Sequence, residues 1–235
     1  MRATGEDELG IEPLRERRWW GRNRATTVSA RPEPGATDMA GAIVREGEHV
    51  RLRRHVAANR AAFQRWYADH DIARLLRHDL QPLTHVQSLV YFDTSILPSS
   101  ARGLTCAIHE LETDELIGTA GLTDLMSGAE RGCFFRIVIG ESRFWGRGYG
   151  SEATRLMMRE AFERHRRDVV HLEVFDYNER AIRAYERVGF ARTGEHTEFP
   201  PQESTELHVL ELSLYRDKFL GTPANESSRD SGLFG

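Results

Sequence analysis

The spacing of apolar residues changes several times between residues 43 and 220, and each change marks an element. His49 to His55, HVRLRRH, alternates apolar and polar positions and predicts a first strand with one buried face. Residues 57–79 and 83–97 carry their apolar residues at helical spacing and predict two helices. Residues 103–122 predict a hairpin turning near Glu112 to Asp114, and the run CFFRIVIG, 133–140, predicts the next strand. From Ser151 to Arg164, Ala153, Leu156, Met157, Ala161 and Phe162 fall on one face of a helix. VVHLEVF, 169–175, is rich in β-branched and aromatic residues, as a buried strand is. Residues 176–190 then predict a helix capped by Asp176 or Asn178, apolar at Ala181, Ile182, Tyr185 and Val188, and stopped by Gly189. FARTGEHTEF and STELHVLELSLY read as two closing strands.

Between the strand at 133–140 and the helix that follows lies RFWGRGYGSE, residues 143–152, with glycines at alternate positions 146, 148 and 150. Glycine permits φ > 0 and a close approach of backbone to ligand, and a following helix offers unpaired N–H groups at the positive end of its dipole. Such a turn suits a phosphate or pyrophosphate. A nucleoside-triphosphatase loop is excluded, because it needs a lysine after its last glycine and Lys218 is the only lysine in the chain. A dinucleotide fingerprint fits poorly, because Ser151 stands where its third glycine belongs.

WGRGYGSEA followed by LEVFDYNERAIRAYERVGF resembles the acyl-coenzyme A binding core of the GNAT superfamily of N-acetyltransferases. The resemblance is greatest to the branch of ribosomal-protein alanine acetyltransferases and spermidine acetyltransferases. Asn178, Ala181, Tyr185, Gly189 and Phe190 match the family's Asn-x-x-Ala-x-x-x-Tyr-x-x-x-Gly-Phe spacing. The likeness covers roughly residues 44–220, with its sharp motifs confined to 137–190. One position departs: Trp145 stands where the family usually has Gln or Arg.

The resemblance implies an α/β (α+β) fold, a single domain over 43–220 with a mixed, mostly antiparallel sheet flanked by helices and splayed strands that hold acyl-coenzyme A. It implies that backbone N–H groups of Arg147, Gly148, Tyr149, Gly150 and Ser151 cradle the pyrophosphate of acetyl-coenzyme A, with the Arg147 side chain as an added cation. Ile137, Val138 and Ile139 would pair their backbone with the pantetheine arm and offer an N–H to the thioester carbonyl, and Asn178 would hydrogen-bond the same arm. Tyr185 would stand beside the thioester sulfur. The first two helices would wall the acceptor with Arg65, Trp66, Tyr67, His70 and Asp71.

The implied reaction is acetyl transfer to a primary amine by direct attack in a ternary complex. An amine of pKa ~10.4 is almost wholly protonated at neutral pH, so a base must take its proton; Glu141, just past the strand, is the candidate. Backbone N–H groups stabilise the oxyanion of the tetrahedral intermediate, and Tyr185 donates a proton to the departing thiolate. Each residue also has a plainer role open to it. Tyr185 fits simple packing on an apolar helix face, Glu141 a charged strand end, and Arg147 a solvated surface position. Glu152 fits the first turn of a helix through its dipole. The acceptor, whether a protein N-terminus, a polyamine or an aminoglycoside-like amine, stays open. The alternative to the enzyme is a sensor or scaffold that holds acyl-coenzyme A without turnover.

Composition narrows the rest. A net charge of −4 gives no general attraction to nucleic acid or an anionic membrane. All but one of the 32 basic residues are arginine, the mark of a GC-rich bacterial genome. Cys106 and Cys133 lie in apolar strand contexts without paired or metal-ligand spacing, which predicts buried free thiols and no cysteine-bound acyl intermediate. No histidine pattern predicts a metal, and His171 reads as packed within its strand. No apolar run reaches bilayer length and no leader is evident, so a cytoplasmic monomer or homodimer is expected. Residues 1–42 lack apolar period and read as a disordered arm, with Met39 as an alternative start and, in RERRWWGRNR, a mixture of cations and tryptophans of the kind that contacts RNA or a ribosome. Residues 221–235 read as a disordered tail.

Overall fold

The computed structural model describes residues 41–124, 131–200 and 206–221. The arm, apart from its last two residues, and the tail after 221 lie outside the described residues, as do Met39 and RERRWWGRNR.

Eight strands form one sheet: β1 (Ile43–Glu46), β2 (Val50–Arg53), β3 (Thr105–Glu110), β4 (Leu116–Asp124), β5 (Gly132–Ile139), β6 (Val169–Phe175), β7 (Ala191–Glu198) and β8 (Leu207–Tyr215). Their order is β1-β2-β3-β4-β5-β6-β8-β7, antiparallel throughout except for β5 and β6. That one parallel pair positions the site. β5 and β6 are in register only at Gly132, Cys133 and Phe134 against Val169, Val170 and His171. Beyond those residues β5 stays paired to β4 as far as Ile139, and β6 to β8 as far as Phe175. The two strands therefore diverge, and their facing backbone edges are left unpaired along a wedge.

Helices cover both faces. α1 (Arg60–Tyr67), α2 (His70–Leu76), α3 (His85–Tyr91) and α4 (Leu97–Ala101) belong to one face, where Phe63, Trp66, Tyr67, Ile72 and Phe92 pack with Val138 of β5. α5 (Tyr149–Arg159) and α6 (Glu179–Val188) cover the other, packing on Phe135, Val170, Leu172 and Leu212, and the short α7 (Arg216–Gly221) follows β8. The five apolar residues predicted for one face of α5 and its continuation are all buried. Each of β3 to β8 overlaps a segment whose sequence predicts a strand, with β4 running two residues past its segment and β5 starting one residue before it.

Three boundaries differ from the sequence reading. A strand, β1, precedes the expected first one, because Ile43–Glu46 is too short and polar to be legible alone and exists through its pairing with β2. The helix expected over 57–79 is broken after Tyr67: the Asp69 carboxylate accepts the N–H groups of Asp71 and Ile72 and starts α2 afresh. The helix expected to end at 97 continues to Ala101, with a π-helical turn over Phe92–Ile96 between α3 and α4. No helix among the described residues is long and apolar enough to cross a membrane.

Candidate active site

The end of β5 and the glycine turn form the first wall of the wedge. Gly140 donates its N–H to the Ile117 carbonyl at 2.9 Å. Backbone groups alternate sides along an antiparallel strand, so Val138 also turns its N–H and C=O towards Thr119 of β4, while Ile137 and Ile139 turn theirs into the wedge. The expectation that three consecutive residues face the cofactor is thus corrected to alternate ones: Val138 is committed to β4, and its side chain to the α1–α3 core. The Ile139 carbonyl is itself taken, at 2.7 Å, by the indole Nε1 of Trp145. Ile137 keeps both backbone groups directed into the wedge.

The turn itself is held open by backbone conformation. Gly146 and Gly148 adopt φ of +77° and +87°, and a Cβ added to either would meet no atom within 4 Å. Glycine is needed there for its left-handed backbone and not for want of room. Gly148 caps α5, whose first intrahelical bond is Glu152 N–H to the Gly148 carbonyl at 3.0 Å. The N–H groups of Tyr149, Gly150 and Ser151 precede that bond and have no helical partner. Arg147 is exposed, with its guanidinium 5.8 Å from the Phe144 ring centroid. Ser151 is buried, and the Arg187 guanidinium reaches its hydroxyl at 3.4 Å.

α6 forms the second wall. Asn178 is its N-cap, accepting the Ala181 N–H on Oδ1 at 3.3 Å, so only its Nδ2 amide is left as a donor for a ligand. Asp176, the other candidate cap, does not take that role. Gly189 ends the helix at φ +110°. Tyr185 lies between Phe135 and Phe190, with ring centroids 6.5 and 5.9 Å away, and burial pushes its hydroxyl up to about 12. No group among the described residues hydrogen-bonds that hydroxyl.

Glu141 sits where β5 ends, but its Oε1 already accepts from Trp66 Nε1 and Arg65 Nη2, both at 3.0 Å. Gly140 makes this possible, since a Cβ there would lie 2.2 Å from the Trp66 ring. Of the residues expected along the acceptor wall, Trp66 and Tyr67 are buried in the core, Tyr67 stacked on Phe63 at 4.1 Å, while Arg65, His70 and Asp71 are exposed. Glu152 is also more than a helix-dipole residue. Its Oε1 accepts the N–H groups of Glu48 and His49, at 2.5 and 2.9 Å, and ties the β1–β2 turn to α5.

Sequence reading missed Glu173. It is the only carboxylate on the diverging halves of β5 and β6, and it lies on the face opposite Tyr185. Although the residue is exposed, desolvation by the protein packed around its carboxyl raises it above the usual range. Around it the fold gathers His78 (Nε2 3.5 Å from its Oε2), His196, Glu198 and Glu211. His78 contacts Glu198 at 2.5 Å, and His196 bridges Glu211 and Glu198 at 2.9 and 3.1 Å. Glu173, His196 and Glu211 bring one ligand atom each within 4.8 Å of one another, a grouping the sequence does not predict because its members come from three strands. The alternation of LEVF in a strand beside the glycine turn was the available signal for Glu173. Both cysteines are buried free thiols, and burial pushes Cys106 up to about 12, which makes it a poor nucleophile.

The family model described as "Acetyltransferase (GNAT) domain" matches residues 49–191. A GNAT-family acetyltransferase from Bacillus anthracis superposes with a TM-score of 0.62 at 13% identity, covering 75% of this chain and 99% of that one. Spermidine N-acetyltransferase from Vibrio cholerae, in complex with CoA and spermine, gives 0.60 at 16% identity over 73% and 98% of the two chains. AAC(6')-Ib, in complex with ribostamycin and coenzyme A, gives 0.59 at 20% identity over 76% and 100%. A family match over more than half of the chain, on a sheet that splays beside a glycine turn, places this protein in the GNAT acetyltransferase family.

Proposed function

We propose that the protein is an acetyl-coenzyme A dependent N-acetyltransferase that acts by direct transfer in a ternary complex. The observation that carries the reading is the wedge, where Ile137 presents free backbone groups beside a left-handed glycine turn and the unpaired N–H groups of α5. These residues fit the cofactor: the Tyr149, Gly150 and Ser151 N–H groups, with those of Arg147 and Gly148 and the Arg147 side chain, would hold the pyrophosphate. Ile137 and the Ile139 N–H would hold the pantetheine arm, and Asn178 Nδ2 would reach it from α6.

The amine nitrogen attacks the thioester carbonyl, and a backbone N–H of the wedge holds the oxyanion. Collapse of the intermediate breaks the C–S bond, and the thiolate takes the Tyr185 proton. The amine's own proton goes to a carboxylate. We assign that base to Glu173, whose raised proton affinity and place in the wedge suit it better than Glu141, which Arg65 and Trp66 already engage. The acceptor we favour is a small molecule with more than one amine, since Glu198 and Glu211 stand beside Glu173 and the Vibrio cholerae and AAC(6')-Ib complexes hold spermine and ribostamycin. Such a reaction belongs in the cytoplasm.

Calorimetric binding of acetyl-coenzyme A, followed by thiol release on N-terminal peptides, polyamines and aminoglycosides, tests this. Binding with release on one class supports the enzyme and identifies the acceptor. Binding with no release on any class favours the sensor reading, and no binding overturns both. With an acceptor in hand, Glu173→Gln should lower kcat by about 100-fold and Glu141→Gln much less. The reverse ranking would return the base to Glu141.

A further inference from the structure

Trp145 is the one motif position that departs from the family pattern, and the fold gives it a partner. Its indole leans back on β5 through Nε1 to the Ile139 carbonyl, and its ring packs at the edge of the α1–α3 core. The Arg180 guanidinium, from the first turn of α6, lies 3.8 Å from the Trp145 ring centroid. Arg180 is an exposed residue, no carboxylate among the described residues pairs with it, and partial desolvation lowers its proton affinity. Trp145 follows β5, and Arg180 follows β6. The contact therefore joins the ends of the two strands where no backbone hydrogen bond does.

We propose that Trp145 and Arg180 work as one unit, a cation–π strap across the open end of the wedge that holds the acyl-coenzyme A arm and sets a guanidinium beside the phosphate turn. The proposal rests on the acyl-coenzyme A reading above. A tryptophan face is the best aromatic partner for a cation, and a stacked arginine keeps its fork of N–H donors available to a phosphate or amide oxygen. Arg180 thus supplies from α6 the polar group that position 145 lacks. Trp145 also occupies the Ile139 carbonyl, which leaves Ile137 as the main backbone contact for the pantetheine arm. Both are positioning residues, since neither touches the reacting atoms.

A double-mutant cycle on coenzyme A binding tests the strap without any acceptor. Dissociation constants would be measured by calorimetry for the wild type, Trp145→Leu, Arg180→Gln and the double variant, with melting temperatures to verify folding. A strap predicts that each single change weakens binding about tenfold and that the double change is no worse than either, because removing one partner already releases the other. Losses that multiply to about 100-fold would mean two independent contacts and overturn the strap, as would wild-type affinity in Arg180→Gln, a substitution at an exposed position outside the core. Trp145→Phe, which keeps a ring but loses the N–H, should retain most of the coupling with Arg180; loss of all coupling there would assign the effect to the Ile139 hydrogen bond instead. Failure of the wild type to bind coenzyme A would sink the cofactor reading itself, an outcome distinct from any of these.

Discussion

At the residue scale, chemistry depends on which face of the wedge a side chain reaches. Tyr185 and Glu173 approach it from opposite sides of the sheet, one on the face under α6 and the other beside His78. Tyr185→Phe should lower kcat by about 10- to 1000-fold and leave coenzyme A affinity nearly unchanged, checked by steady-state rates and calorimetry on the same samples. An unaltered kcat would remove the hydroxyl from the proton-transfer step. Tyr185 was singled out in the sequence through the family resemblance that the Asn178 to Phe190 spacing carries. Glu173 was not, since its place beside the wedge depends on where β6 parts from β5, and that is a matter of pairing between segments.

At the element scale, the glycine turn and the two caps carry the architecture. Gly148→Ala places a Cβ in open space but at φ +87°, so it should cost about 1 kcal/mol of stability in the free protein through backbone strain alone. Denaturant melts measure this; an unchanged midpoint would show that the turn relaxes. Asn178 separates capping from ligand binding. Asn178→Asp keeps the Oδ1 acceptor of the cap and should hold the melting temperature, yet lose the Nδ2 donor and weaken coenzyme A binding. Asn178→Ala should lose about 1 kcal/mol of stability as well. Equal affinity in Asn178→Asp and wild type would confine this residue to capping. The turn and both α6 ends were readable from local sequence, because glycine and cap residues act through their own backbone. The break at Asp69 and the π-helical turn over Phe92–Ile96 were not, because helical spacing continues across them.

At the scale of the whole molecule, buried ionisable groups make stability depend on pH. His55 is buried against Thr119 and Phe92, and desolvation pulls it from 6.5 down to about 4. Above pH 6.5 it is neutral in both folded and unfolded chains and has no effect. As pH falls below that value the unfolded chain takes up a proton that the folded protein refuses until about pH 4. Stability contributed by neutral His55 is therefore lost over that window, by about 2 kcal/mol between pH 7.5 and 5. Urea titrations at the two pH values, with His55→Gln as the control, measure it; an equal pH dependence in the variant would assign the loss to other groups.

The sequence by itself determined the order of elements from β2 to β8, the glycine turn and the Asn178 to Phe190 helix motif, all of which act through near neighbours along the chain. Tertiary structure decided which backbone edges stay free. Ile137 faces the wedge and Val138 does not, because β4 pairing sets the parity of β5, and the parity of a strand is fixed only by its partner. It decided too that Trp66 belongs to the core, that Glu141 is engaged by α1, and that Glu173 meets two histidines and two further glutamates. These are contacts between residues up to about a hundred positions apart, and such contacts leave no periodic trace in a single chain.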